Sequence, residues 1–239
     1  MNKIHLLDNG LINKIAAGEV VERPASVVKE LMENSIDAGA TSITVEIAEG
    51  GTSVIKITDN GKGIPKDEIR TAFMRHATSK IDSFEDLENV LTLGFRGEAL
   101  SSIASVAQVE MLTRTESDSM GTRIVINGGV VDREEECAAN VGTVFYVKNI
   151  FFNTPARRKF LKKPATEGSY ISEIVNRIAL GHPNIAIKYI NNGNIVLQTN
   201  GDGNVKNSLF YIYGKDIASK MLNLESEKEG YILKGLVGK

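Results

Sequence analysis

The chain has 239 residues, 42% of them hydrophobic and 24% charged, which suffices for one large domain or a domain with part of a second. A formal net charge of −2 excludes a global basic field drawing the protein onto nucleic acid or membrane, so any nucleic-acid contact must come from a local patch. The single cysteine, Cys137, excludes an intrachain disulfide, and with no signal peptide and no bilayer-length apolar run the expected setting is the cytoplasm.

In chain order, residues 6–21 read as a short polar–apolar arm. Arg23-Pro24 then opens an amphipathic helix over 24–40, PASVVKELMENSIDAGA, which Gly39 ends. On a helical wheel Val28, Leu31, Met32 and Ser35 share one side, while Glu30, Asn34 and Asp37 share the other with Glu33 beside them. Alternation predicts strands over 41–47 and 53–59, joined as a hairpin at Glu49-Gly50-Gly51. Residues 66–75 are expected to form a short helix, 76–80 a loop, 84–90 a helical turn or two and 98–107 a helix. Strand-like runs come next at 109–113, 122–126 and 143–148, separated by acid- and glycine-rich turns. Residues 153–164 read as a basic loop, 167–180 as a helix, and 185–189 with 195–199 as a second hairpin around Asn192-Gly193. Asn200 to Asn204, NGDGN, is the linker candidate. A helix-like 205–213 and a strand-like 231–237 then open a second unit too short to bury much core, so the chain is expected to be part of a longer protein. Helices alternating with antiparallel strands favour a two-layer α/β sandwich over a doubly wound sheet.

Four segments carry candidate chemistry besides a basic run. The polar helix face reads as solvated surface or as a ligand-facing row. In the second case the Asn34 amide oxygen suits Mg²⁺, and the Glu30 carboxylate could take a proton from water attacking a phosphoryl group. DNGKGI reads as a tight turn, but Gly61 and Gly63 also allow close backbone approach to a ligand. Asp59, at a buried strand end, is an acceptor suited to the amino group of adenine. GFRGEAL places Gly94, Phe95, Arg96, Gly97 and Glu98 at a helix start, either an ordinary N-terminus or an anion site. HATSK offers Thr78, Ser79 and Lys80 for phosphate oxygens, or is simply a polar loop. PARRKFLKKP gathers Arg157, Arg158, Lys159, Lys162 and Lys163, as a solvated charge run or a phosphate-contacting patch for DNA. No G-x-x-x-x-G-K-[ST] occurs, no G-x-G-x-x-G follows a strand, and His5, His76 and His182 lie far apart, so P-loop, dinucleotide and zinc readings are set aside. Three acids precede Cys137 and disfavour it as a thiolate nucleophile.

Together these segments resemble the amino-terminal ATPase region of the MutL family of DNA mismatch repair proteins. IAAGEVVERPASVVKELMENSIDAGA, DNGKGI, RHATSKI, GFRGEALSSI and FFNTPARRKFL stand in that family's order and spacing over essentially the whole chain. MutL belongs to the wider GHKL superfamily, with type II topoisomerase ATPase subunits, Hsp90 chaperones and histidine kinases. Those relatives share the acid–Asn helix and the D-x-G-x-G turn but not GFRGEAL with NTPARRKF.

The resemblance implies an α+β sandwich of the GHKL (Bergerat) type: a mostly antiparallel mixed sheet with helices on one face, over residues 1–200, and an incomplete second α/β subdomain over 205–239. It implies ATP and Mg²⁺ as ligands, Glu30 as the general base and Asn34 as the metal ligand. Asp59 would take the adenine amino group, with Gly63 beside the base and Thr143 in support. Thr78, Ser79 and Lys80, with Gly94 to Glu98, would form a lid over the phosphates. ATP would close the lid, order the arm of residues 1–21 and drive homodimerisation into a clamp on DNA, alongside a MutS-type mismatch recognition protein and with no membrane. The family's γ-phosphate lysine would lie beyond residue 239, so this chain is expected to bind ATP better than it hydrolyses it. The alternatives are a nucleotide-gated scaffold without significant turnover, or another GHKL ATPase.

Overall fold

A computed structural model of the chain describes residue 10, residues 17 and 18, residues 20–78, residue 93 and residues 97–238. Most of the arm, the expected helix at 84–90, and Ser79, Lys80, Gly94, Phe95 and Arg96 lie outside the described residues.

Helix α1 (Pro24–Asp37) begins where Arg23 is extended and proline occupies the first helical turn. It ends at Ala38, and Gly39 follows with φ 75°. Its apolar side, Val27, Val28, Leu31 and Met32, is fully buried, worth about 1.5–3 kcal/mol for each large side chain. Strands β1 (Ser42–Ala48) and β2 (Val54–Asp59) pair antiparallel through a 3₁₀ turn, Glu49–Gly51. Strand parity decides where Asp59 points. Ile55, Ile57 and Asp59 alternate onto one buried side, so the last residue of β2 enters the core side as a carboxylate.

The short helix α2 (Ile69–Ala72) and helix α3 (Ala99–Val106) precede β3 (Gln108–Arg114), β4 (Gly121–Asn127), β5 (Val130–Cys137) and β6 (Gly142–Lys148). Then come α4 (Pro155–Phe160), α5 (Pro164–Gly181), β7 (Ala186–Asn191) and β8 (Asn194–Gln198). The eight strands form one sheet in the order β5-β4-β3-β6-β2-β1-β7-β8. Every neighbouring pair is antiparallel except β1 and β7. One face carries the apolar alternates, among them Val45, Ile57, Met111, Ile124, Phe145 and Tyr189, under the helices. The opposite face carries a ladder of ions. Lys56 pairs with Glu46 at 2.6 Å, Lys148 and Arg123 meet Glu110 at 3.1 and 2.8 Å, and Arg123 reaches Glu135 at 2.7 Å. A sheet with one apolar and one charged face is a two-layer α/β sandwich, as the alternation predicts.

Several expectations are corrected. The acid-rich stretch before Cys137 is an edge strand, β5, rather than a turn. It pairs only with β4, so its largely exposed side chains can be charged. Residues 153–164 are not a plain loop, because Pro155 starts the six-residue helix α4. Only Ile69–Ala72 of the 66–75 segment is helical. After the NGDGN segment, α6 (Val205–Tyr213) and the four-residue α7 (Lys215–Ala218) lead to β9 (Met221–Lys228) and β10 (Tyr231–Gly238), which form a separate two-stranded sheet. No described helix is long and apolar enough to cross a membrane.

Candidate functional site

The site is built where the C-terminal half of α1 crosses the ends of β2, β3 and β6. Asp59 is 9% exposed. Its Oδ2 accepts from the Ser35 hydroxyl at 2.8 Å, and its Oδ1 accepts from the Gly61 N–H at 2.9 Å. Asp59 is also in register with Thr143 across β2 and β6, whose backbone adds a hydrogen bond. Burial pushes the Asp59 carboxyl above the ordinary carboxylate range, while Gly61, Ser35 and Thr143 pull it back.

Thr113 completes this corner. Its hydroxyl accepts from the Ile64 N–H at 2.9 Å and donates to the Gly142 carbonyl at 3.1 Å. The Thr143 hydroxyl lies 3.1 Å from it. Thr113 has one proton to give, and spending it on Gly142 makes Thr143 the donor to Thr113. The Thr143 oxygen keeps its lone pairs for a further donor beside Asp59. Neither Ser35 nor Thr113 is a candidate site residue on sequence grounds.

The glycines of DNGKGI let the protein's own atoms come close on the side where a Cβ would stand. Gly63 has φ 72°, and a Cβ there would sit 2.2 Å from the Arg114 carbonyl oxygen. A Cβ on Gly61 would meet the Ala38 Cβ at 2.9 Å. On the Cβ side both positions are closed by protein: the turn packs against the end of α1 and the end of β3, and this holds Asp59 in place. Gly142 is similar, with φ 116° and the Asp59 carbonyl oxygen 2.2 Å from a built Cβ.

Glu30 and Asn34 lie one turn apart on α1, both partly exposed, on the side away from Leu31 and Met32. Asn34 immediately precedes Ser35, so one helical segment serves the Asp59 corner and the Glu30–Asn34 row. Lys29 joins this face: its Nζ lies 3.2 Å from Glu30 and 2.7 Å from Glu33. At the end of the helix, Asp37 Oδ1 accepts from the Leu93 N–H at 3.2 Å.

The HATSK and GFRGEAL segments meet. A Cβ on Gly97, at φ 63°, would lie 2.6 Å from the Ala77 carbonyl oxygen. Glu98, at the start of α3, lies 3.4 Å from both Arg75 and His76. Thr78 is half-buried on the same loop. The basic segment divides: Arg157 places its guanidinium against Gly18 of the arm, while Arg158 and Lys159 are exposed. Burial pushes the Cys137 thiol up, Arg123 opposes it and Glu135 adds to it, so the thiol stays protonated near neutrality.

No group of three or more His, Cys, Asp or Glu among the described residues could cage a metal. The donor set nevertheless suits Mg²⁺ held by a single amide oxygen with phosphate oxygens and waters. The buried, donor-stabilised Asp59 suits an amino-bearing base.

A family model described as histidine kinase-, DNA gyrase B-, and HSP90-like ATPase matches residues 22–141. The chain is 56% identical over its full 239 residues to the DNA mismatch repair protein MutL of Agathobacter rectalis, covering 37% of that protein. It is 52% identical over the same length to MutL of Caldanaerobacter subterraneus subsp. tengcongensis, covering 40% of it. Among solved structures, the Aquifex aeolicus MutL ATPase domain complexed with ADP superposes with a TM-score of 0.70 at 30% identity, over 87% of this chain and 73% of that one.

Proposed function

This chain belongs to the histidine kinase-, DNA gyrase B- and HSP90-like ATPase family, in its MutL branch, and from that premise we propose that it binds ATP at the Asp59 corner and hydrolyses it slowly with Glu30 as general base. The observation that carries this reading is Asp59: a buried carboxylate at the end of β2, held by Gly61 and by Ser35, which stands one residue along α1 from Asn34. The adenine amino group donates to Asp59, and Thr143 offers its lone pairs beside it. This selects adenine over guanine, which presents an acceptor at that position.

Asn34 would hold Mg²⁺, which supplies charge neutralisation at the phosphates when bound. Glu30 then takes a proton from the attacking water. Thr78, Ser79 and Lys80, with Gly94 to Glu98, wrap the phosphates. The Gly97–Ala77 and Glu98–Arg75 contacts support this grouping, because they join the two segments. In this reading ATP closes that lid, orders the arm and favours a homodimer. Residues 205–239 open a second subdomain. Arg158 and Lys159 on α4 face DNA, and a MutS-type protein is the partner. Replacing Glu30 with Ala tests the core of the proposal: nucleotide affinity should survive and turnover should vanish. Hydrolysis at the parent rate would remove Glu30 as the base.

A further inference from the structure

We propose that Thr113, which no base contact requires, determines base specificity by holding Thr143 as a hydrogen-bond acceptor; this rests on the reading of the Asp59 corner as the adenine site. Asp59, Thr143 and Thr113 stand in one row across β2, β6 and β3, each directly opposite the next. All three are buried, with Thr113 1% and Thr143 6% exposed. Their protons must therefore find partners in the protein or in a ligand.

A hydroxyl has one proton and two lone pairs. At Thr113 all three are committed, and two of its partners have no choice of role. The Ile64 N–H at 2.9 Å can only donate, and the Gly142 carbonyl at 3.1 Å can only accept. One lone pair is left for Thr143, 3.1 Å away, so Thr143 spends its only proton on Thr113. On the other side of Thr143 stands Asp59, and residues directly opposite one another on paired strands are only about 4.5–5.5 Å apart at Cβ. Released from Thr113, the Thr143 proton would turn to the Asp59 carboxylate or to a carbonyl on the ligand. Thr113 thus has two effects without touching the base. It keeps the Thr143 proton off Asp59, whose lone pairs stay open to an amino group, and it denies a base carbonyl the Thr143 donor. Both main-chain partners are fixed in the fold, Ile64 just after the DNGKGI turn and Gly142 at the start of β6, so the polarity of the site is imposed by backbone through one side chain. A 6-amino purine should be preferred over a 6-oxo purine by more than Asp59 alone provides.

Calorimetry on the full chain with ATP and inosine triphosphate tests this, because the two share their phosphates and differ where adenine carries its amino group. The parent should prefer ATP. Thr113→Val should narrow that preference by roughly tenfold, with ATP losing affinity and inosine triphosphate holding or gaining it. Thr113→Ser keeps the hydroxyl and should keep the parent ratio. In a Thr143→Val background, Thr113→Val should leave the ratio unmoved. If valine costs the fold, Thr113→Cys takes its place, since its sulfur is a weak acceptor, and should narrow the ratio in the same direction. Equal weakening of both nucleotides by Thr113→Val would overturn the proposal and leave Thr113 as a support for the Ile64 turn. So would a narrowed ratio that persists without the Thr143 hydroxyl. The adenine site itself fails on different results: Asp59→Asn binding ATP as the parent does, or a parent that does not prefer ATP.

Discussion

The Ser35 hydroxyl donates to Asp59 Oδ2 at 2.8 Å across the boundary between helix and sheet, and the Leu31 carbonyl, one turn back on α1, waits 3.0 Å away as an alternative acceptor. Ser35 has one proton, so the charge on Asp59 decides which partner receives it. Ser35→Ala removes a donor from a buried carboxylate and should cost about 1–3 kcal/mol at neutral pH in urea unfolding. It also raises the Asp59 pKa further. The cost should shrink as pH falls through that value, since a protonated Asp59 no longer needs the donor. A pH-independent cost would mean that the serine only fills space.

Asp59→Asn separates binding from stability. The folded-state pKa of Asp59 is raised, chiefly by burial, so the folded protein holds this proton more tightly than the unfolded chain. Its contribution to stability is full below the ordinary carboxylate pKa and is lost as pH rises through the raised value. At neutral pH the charge is a net cost. The neutral amide removes that cost: its oxygen can accept from Gly61, and its NH₂ can face Ser35, whose proton then turns to Leu31. The variant should be at least as stable as the parent at pH 7 and show less gain on acidification. Its NH₂ group would oppose the adenine amino group, so calorimetry should find ATP affinity reduced by roughly tenfold to a hundredfold. Unchanged affinity would place the base elsewhere.

The helix α1 and the inward position of Asp59 are legible in the sequence because both arise from period alone: 3.6 residues for the Glu30–Asn34 row, and two for Ile55, Ile57 and Asp59. Ser35 is legible only as a small residue among Val28, Leu31 and Met32, since its partner lies 24 positions away and only tertiary contact reveals it. Thr113 reads as an ordinary strand alternate until the Ile64 turn folds onto it. The roles of Gly61 and Gly63 escape the sequence for a related reason: it states that backbone comes close there, but not what it comes close to. Helix α4 has a signal, a threonine just before PARRKF and the proline that opens it, and the run of charge masks it. For β5 the strand pattern is hidden because an edge strand with exposed side chains carries no apolar alternation.

Three glycines with positive φ near the site, Gly39, Gly63 and Gly142, should be intolerant of alanine to different degrees. Gly39 has φ 75° but open space around a built Cβ, so Gly39→Ala should cost about 1–2 kcal/mol, for conformation alone. Gly142→Ala and Gly63→Ala add contacts at 2.2 Å with the Asp59 and Arg114 carbonyl oxygens, main-chain atoms that cannot swing aside. Each should cost about 3 kcal/mol or more in chemical denaturation, and Gly142→Ala should also weaken nucleotide binding by shifting Asp59. Equal losses at all three positions would show that backbone strain, not packing of the turn, sets these residues.

Asn34 makes a prediction about metal removal that does not depend on turnover. With one protein donor and no carboxylate cage among the described residues, Mg²⁺ would be held mostly by nucleotide and water. Chelating the metal should therefore weaken ATP binding without unfolding the protein, since no structural element is built on the ion. Asn34→Ala should bind ATP in the presence of Mg²⁺ about as weakly as the parent does in chelator, and chelator should then do little more. Asn34→Asp should keep a metal dependence, because a carboxylate oxygen replaces the amide oxygen at the same place on the helix. Calorimetry with and without chelator reads all three proteins on one scale. A full metal effect in Asn34→Ala would move the cation off the α1 face, and with it the argument that Glu30 faces the attacking water one turn away.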